Sequence, residues 1–244
     1  MAEVALLIDH GNTRMKWVLA RSGQVDINTA GSGSLDEFVQ RFHSPAVIGP
    51  SSVMLSSVAD TSQLQALEDF CGSRWGLTPW RIASLASQGG VRNAYDDPSV
   101  LGVDRWLAIV GAVAQHGKPI VIWDLGTAAT LDAVDENGQH LGGMIYPGPA
   151  TMLNALRNET LLQAPQRLGS ASMRPGANTR ECIENGVFAA QVGALNQFIR
   201  HISTGMNKKP QLVVTGGAAP ELLPLLDFDC IHDPWLVFRG MLVE

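Results

Sequence analysis

The sequence predicts an α/β protein built as two similar lobes, and three observations carry that expectation. First, short apolar runs of strand length alternate with longer segments whose apolar residues recur at helical spacing. Second, one pattern occurs twice. Leu6-Leu7-Ile8-Asp9-His10-Gly11-Asn12-Thr13 returns 115 residues later as Val121-Ile122-Trp123-Asp124-Leu125-Gly126-Thr127-Ala128. Each copy is an apolar strand, an Asp, one residue, a Gly and a small residue. A repeat of that length is no solenoid unit, and it divides the 244-residue chain into expected lobes 1–116 and 117–244. Third, 45% of the residues are hydrophobic and 16% charged, where a soluble domain usually carries about 25% charge. With 25 glycines, this describes a compact, turn-rich chain and excludes a disordered or coiled-coil protein.

The elements follow in order. Val4–Asp9 and Met15–Ala20 are predicted strands joined by a turn at Gly11-Asn12, with a second turn at Arg21–Gln24. Ser34 and Glu37 form a capping box that starts a helix through Phe42. Val53–Val58 is a strand; Thr61–Cys71 is a helix with Leu64, Leu67 and Phe70 on one side; Trp80–Ala83 is a short strand. In the second half Val103–Gln115 is a helix stopped by Gly117 and Pro119, followed by strands Ile120–Asp124 and Thr130–Val134 and a hairpin turn at Glu136-Asn137-Gly138. A helix near Ala150–Leu162, a looser stretch Gln163–Ala177 and a long helix Thr179–Ile202 come next. Gln211–Thr215 is a strand running into Gly216-Gly217, and a helix near Pro220–Leu226 closes the pattern.

Charge and cysteine usage narrow the function. The net charge is −6 with 4 Lys among 17 basic residues. Nucleic-acid binders concentrate basic residues against phosphates, so no nucleic-acid partner is expected. The longest uncharged apolar run, Trp106–Ala114, is too short to span a bilayer, and no secretory leader is visible. Cys71, Cys182 and Cys230 are scattered, which fits reduced thiols in the cytoplasm rather than a disulfide frame or a zinc site. His116 with Gly117 reads as a helix end, and the other five histidines, His10, His43, His140, His201 and His232, show no metal-ligand spacing. Trp106 and Trp123 lie on apolar elements and read as core.

Four segments can carry chemistry. A hairpin tip of sequence Asp9-x-Gly11-Asn12-Thr13 exposes backbone N–H groups that can cradle an anion. Asn12 and Thr13 add donors, Lys16 adds a charge, and Asp9 can orient a hydrated Mg²⁺. Asp, Gly and Asn are also ordinary turn residues; it is the second copy, at Asp124, that favours a paired grip on a nucleotide triphosphate. Thr215-Gly216-Gly217-Ala218 opens a helix after a strand, either as an anion or nucleotide contact or as a tight connection. In Leu101-Gly102-Val103-Asp104-Arg105, Asp104 is either a helix cap paired with Arg105 or a carboxylate that takes the proton of an attacking hydroxyl. Gly111–Lys118 imitates a P-loop, but it has the wrong spacing, ends in Pro119 and lies at a helix end.

Together these residues resemble the type III pantothenate kinases, of the acetate kinase/sugar kinase/Hsp70/actin superfamily. The resemblance runs through Asp9-His10-Gly11-Asn12-Thr13 with Lys16, Tyr95, Leu101–Trp106, Asp124–Ala128, Gly142–Gly148, Asn178-Thr179, Gly186 and Thr215-Gly216-Gly217. It implies two ribonuclease H-like (actin-like ATPase) lobes with a nucleotide cleft between them, and ATP-dependent phosphorylation of pantothenate, the first step of coenzyme A biosynthesis. It implies that Asp9, Gly11, Asn12, Thr13 and Lys16, with Thr127 and Gly216, bind ATP. Asp9 and Asp124 would be metal ligands, for Mg²⁺ and for a monovalent cation (K⁺ or NH₄⁺) respectively. Tyr95, Gly102, Val103, Asp104, Arg105 and Thr179 would bind pantothenate, with Asp104 the catalytic proton acceptor. It further implies a cytoplasmic homodimer with Thr179 reaching the partner's site, and makes Gln163–Ala177 a candidate mobile loop. The sequence departs at Ala129, where many members carry Thr, so the cation shell is expected to be one oxygen short. A non-catalytic regulatory or accessory protein on the same scaffold is the alternative expectation.

Overall fold

The structure is a computed structural model that describes residues 3–11, 14–44, 49–57, 61–169 and 172–244. The chain forms two compact units: the first comprises residues up to Gln115 together with Leu236–Glu244, and the second is His116–Trp235. The division expected from sequence gave the last nine residues to the second unit. They return to the first because α7 (Leu236–Met241) packs against β1 (Val4–His10) and buries Leu236, Phe238 and Met241.

The first unit is built on a five-stranded sheet. β1 pairs antiparallel with β2 (Met15–Arg21), and β2 with β3 (Gln24–Gly33). On its other side β1 runs parallel to β4 (Ser52–Ser57), and β4 to β5 (Trp80–Arg81). The order is β3-β2-β1-β4-β5. Alternation along these strands separates two faces. Val4, Leu6, Ile8, Met15, Trp17, Leu19, Val53 and Leu55 pack under α1 (Leu35–His43) and α2 (Thr61–Trp75) through Phe38, Phe42, Leu67 and Phe70. The predicted capping box at α1 is present: Glu37 N–H donates to Ser34 Oγ at 3.2 Å, and Ser34 N–H to Glu37 Oε2 at 2.7 Å. Such a cap contributes about 1 kcal/mol. A two-stranded hairpin, β6 (Ser87–Gln88) with β7 (Val91–Arg92), leads into α3 (Val103–His116), which is buried from Arg105 to Val113.

The second unit repeats this plan. Its sheet joins β8 (Ile120–Leu125), β9 (Ala128–Val134), β10 (His140–Pro147), β11 (Gln211–Thr215) and β12 (Cys230–His232) in the order β10-β9-β8-β11-β12. The first three strands are antiparallel neighbours, while β11 runs parallel to β8 and β12 to β11. Strand for strand this is the arrangement of the first unit. The predicted α/β fold in two similar lobes is therefore the one the chain adopts. The core lies between one sheet face (Val121, Trp123, Leu125, Leu131, Val214) and α5 (Thr179–Ser203), through Phe188, Val192, Leu195 and Phe198. α5 is capped by Asn178, whose Oδ1 accepts from Glu181 N–H at 3.0 Å.

Most elements match their expected bounds within two residues, and β11 matches at both ends. The differences are local. β4 ends at Ser57, and the predicted end of that strand, Val58, lies outside the described residues. α2 continues to Trp75, because Trp75 packs its ring on Phe42 and Phe70. α4 (Pro149–Glu159) stops short of Leu162, where Thr160 Oγ1 accepts from Leu162 N–H. The helix after Gly217 is the single turn α6 (Ala219–Leu222), followed by a 3₁₀ turn at Leu223–Leu225 that contains Pro224. Among the described residues, no helix is long and apolar enough to cross a membrane.

Candidate active site

In the first unit the proposed chemistry gathers on the sheet face turned away from α1 and α2. Asp9 is next to last in β1, and pairing places Lys16 of β2 directly opposite on one side and Ser56 of β4 on the other. Paired residues project from the same face. Ser56 Oγ donates to Asp9 Oδ1 at 3.3 Å. Burial pushes the Asp9 carboxyl up from 3.8 to about 6, Lys16 opposes this, and the charge of Asp104 adds to it. Asp104, in the first turn of α3, thus lies within electrostatic reach of Asp9. Gly11 N–H donates to Arg14 O at 3.2 Å and closes the turn. Asn12 and Thr13, the predicted donors at its tip, lie outside the described residues.

The proposed substrate segment is held by its own contacts. Arg105 is 7% exposed, and its Nη1 donates to Tyr95 Oη at 3.1 Å. Asp104 Oδ1 accepts from Arg105 N–H at 2.8 Å. Tyr95 N–H in turn donates to Asn93 Oδ1 at 3.0 Å. Ser84, buried beneath, donates to Leu101 O at 2.7 Å and fixes the chain ahead of Gly102 and Val103. The seven expected residues Asp9, Lys16, Tyr95, Gly102, Val103, Asp104 and Arg105 therefore all belong to one unit. Gly11 joins them.

The second unit reproduces the first turn with one residue fewer. Asp124 is next to last in β8, with Thr130 of β9 opposite on one side and Thr215 of β11 on the other. Gly126 N–H donates to Ala128 O at 3.2 Å, which leaves Thr127 exposed at the tip. Gly148 N–H and Thr151 Oγ1 both donate to Thr127 O, at 3.0 and 2.6 Å. Gly216 follows β11 with φ +91° and lies against Asp124 and Leu125, and Ala218 N–H donates to Leu125 O at 3.1 Å. Asp124, Thr127 and Gly216 are thus brought together. Ala129, expected to leave a cation shell one oxygen short, is fully buried in the core on the opposite face of β9. The β9 residue facing Asp124 is Thr130, a hydroxyl carrier. Thr179 is exposed at the start of α5. It lines a cavity of about 830 Å³ with Pro147, Met152, Leu156 and Ile183.

Sequence reasoning missed Ser56, Thr130 and Thr151, and it named Thr215 only as part of the Gly216-Gly217 turn, not as a neighbour of Asp124. Ser56 and Thr215 reach the carboxylates only through parallel pairing across a long connection, which leaves no local signal. The stretch Gln163–Ala177, expected to be mobile, is tied down at several described points: Arg157 Nη2 donates to Pro165 O, Asn185 Nδ2 to Arg174 O, and Ala177 N–H to Glu181 Oε2. The thiols offer no nucleophile at Cys71, which burial pushes up to about 12. No cluster of three or more His, Cys, Asp or Glu that could hold a metal occurs among the described residues.

Comparison with known proteins places this geometry in a family context. The family model for type III pantothenate kinase matches residues 5–201. Type III pantothenate kinases from Herminiimonas arsenicoxydans, Alkalilimnicola ehrlichii and Halorhodospira halophila are 38%, 35% and 32% identical. Each alignment covers 97% of this chain and 95%, 95% and 96% of the relative. Among solved structures, a Campylobacter jejuni protein described under the Baf family of transcriptional activators superposes with TM-score 0.59 at 21% identity, covering 97% of this chain and 94% of the other. The activator of 2-hydroxyisocaproyl-CoA dehydratase from Clostridium difficile, solved with ADPNP bound, gives 0.51 at 12% identity, with 99% and 92% covered. These two likenesses bear on fold alone, and they agree with an α/β fold in two similar lobes.

Proposed function

The chain belongs to the type III pantothenate kinase family, and we propose on that footing that it transfers the γ-phosphoryl group of ATP to the primary hydroxyl of pantothenate. The product is 4'-phosphopantothenate, and the reaction opens coenzyme A biosynthesis. The observation that carries this reading is that Asp9 with Lys16 and Ser56, and Asp104 with the buried Arg105–Tyr95 pair, belong to one unit, with the charge of Asp104 felt at Asp9. An anion-handling turn and an alcohol-activating carboxylate then share one unit.

In this reading Asp104 accepts the hydroxyl proton as the new P–O bond forms, which in-line transfer to an alcohol requires. Arg105, oriented by Tyr95, fixes the pantothenate carboxylate, a planar anion suited to a guanidinium fork. Gly102 and Val103 shape the wall ahead of it, and Thr179 completes the substrate contacts. Gly11, Asn12, Thr13 and Lys16 hold phosphate oxygens from the first turn, and Thr127 and Gly216 hold the nucleotide from the second. Catalysis is then mainly positioning and electrostatics.

The donor set suits the ions. Mg²⁺ takes one or two carboxylates and fills its remaining positions with water and phosphate. Asp9, half-buried and already accepting from Ser56, fits that demand, and Mg²⁺ when bound offsets phosphate charge. Asp124 with the hydroxyl carriers Thr130 and Thr215 is an all-oxygen set suited to K⁺ or NH₄⁺. We take the working form to be a cytoplasmic homodimer, in which Thr179 serves the partner's site.

The test is a coupled ADP-release assay with pantothenate and a panel of small alcohols, with and without potassium. Pantothenate-dependent release is expected, and its absence would turn the reading to the accessory alternative. Asp104→Asn should keep the fold and pantothenate affinity while turnover falls about 10²–10⁴-fold.

A further inference from the structure

Gln191 is fully buried in the middle of α5, on a helix whose neighbouring inward positions are Val187, Phe188 and Val192. Its Nε2 donates to Pro147 O at 2.9 Å and contacts Met152 Sδ at 3.3 Å. Its Oε1 is buried with no hydrogen-bond partner. Exchanging the two amide atoms would set an oxygen against the Pro147 carbonyl, so the orientation is fixed by chemistry. A buried acceptor left unsatisfied costs free energy that a methionine of similar shape would not. Packing alone therefore gives no reason for an amide here.

The amide's target gives one. Pro147 ends β10 and is the register partner of Ala128, the first residue of β9 after the tip of the second phosphate turn. The next residue, Gly148, donates its N–H to Thr127 O, and Thr151, one turn into α4, donates to the same carbonyl. The end of β10 and the start of α4 thus brace the turn, and Gln191 fixes that brace to the long helix. Proline has no N–H, so the end of β10 is a weak place in the ladder. A side-chain donor from α5 supplies the fixing contact there.

We propose that Gln191 is a positioning residue for nucleotide binding: through Pro147 and Gly148 it sets the height and angle of the Thr127 turn. The inference rests on the nucleotide role proposed above for Thr127. Gln191→Met keeps volume and removes the amide; Gln191→Leu does the same with a different shape. Two readouts are taken on each folded variant: steady-state kinetics, and calorimetric affinity for a non-hydrolysable ATP analogue with Mg²⁺. The expected result is a KM for ATP raised at least fivefold and a matching loss of analogue affinity. The kcat and the KM for pantothenate should stay within twofold of wild type, with a melting temperature equal to or above it. A lowered melting temperature with unchanged nucleotide affinity would make Gln191 merely structural and overturn the proposal, as would a fall in kcat alone. If the wild-type protein binds the analogue but does not phosphorylate pantothenate, the kinase reading fails on its own. The analogue affinities then still decide the role of Gln191.

Discussion

Gly216 lies so close to Asp124 that a β-carbon on Gly216 would fall 2.5 Å from Asp124 Oδ1. The same carbon would meet the Leu125 backbone at 2.5 Å, and the residue holds φ +91°. The strand-to-helix turn after β11 therefore seats the second carboxylate directly. Gly216→Ala combines backbone strain of about 1–2 kcal/mol with displacement of Asp124. We expect a melting temperature lowered by several degrees and turnover lowered more than stability alone explains. Calorimetry and initial rates measured on one preparation separate the two. Gly217, one residue on, meets nothing within 4 Å, so Gly217→Ala should leave rates near wild type.

Asp9 makes stability depend on pH in a defined direction. Burial, with the charge of Asp104 adding and Lys16 and Ser56 opposing, raises its carboxyl from 3.8 to about 6 in the folded chain. Below pH 3.8 the group is protonated in both states and carries no penalty. Between about pH 3.8 and 6 the unfolded chain ionises while the folded chain still holds its proton, and above about 6 the folded chain has ionised too. Stability from this group is therefore lost across that window, by about 3 kcal/mol at neutral pH. Asp9→Asn should flatten this part of the pH–stability curve and raise the melting temperature at pH 7.5, while Mg·ATP-dependent turnover is lost. An Asn variant that melts below wild type at pH 7.5 would show that the carboxylate is not strained there.

What the sequence made legible, and what it hid, follows from the range of the forces involved. The first hairpin, the Ser34–Glu37 box and β11 are set by neighbouring residues, and each appears where the pattern puts it. β3 was missed because Gln24–Gly33 lies on a sheet edge, half of it exposed, without apolar alternation. β10 carries Gly142 and Gly143 and a register shift between His140 and Gly143, which erases the strand period. β12 has three residues, and α7 six. The site divides in the same way. Asp9 and Asp124 stand out because the turn chemistry around them is local and repeated. Ser56 and Thr215 arrive from strands 47 and 91 residues away, so only the fold assembles them. Ala129 shows the converse: read as a gap in a cation shell, it is a core residue because strand alternation turns it away from Asp124.

The buried Arg105 is oriented by Tyr95 in a way a lysine cannot copy. Its Nη1 donates to the phenol at 3.1 Å, and the planar fork carries several further donors that a lysine ammonium does not present in one plane. Arg105→Lys keeps the charge and loses the planar pair of donors. We expect the KM for pantothenate to rise about tenfold or more, which corresponds to roughly 1.4 kcal/mol or more, with the KM for ATP within twofold. Tyr95→Phe removes only the orienting contact and should raise the same KM by a smaller factor. Equal effects of Arg105→Lys on both substrates would place Arg105 outside the pantothenate contacts.

The last helix tests why the chain's end belongs to the first unit. α3 and α7 touch backbone to backbone: a β-carbon on Gly111 would run into Leu236 O, and one on Gly240 into Leu107 O. The contact is reciprocal, so an added carbon at either position pushes the same two helices apart. Overpacking of this kind costs about 1–3 kcal/mol, and in a chain of this size each kcal/mol shifts the melting temperature by about 2–4 °C. Gly111→Ala and Gly240→Ala should each lower it by several degrees, and the double variant should lose less than the sum, because either change already separates the pair. Gly72 provides the contrast. It lies within α2, with nothing within 4 Å of the added carbon, and Gly72→Ala should stabilise by about 0.5–1 kcal/mol. If alanine at 111 and 240 were as benign as at 72, the close approach of α3 and α7 would not be what holds the C-terminal segment to the first unit.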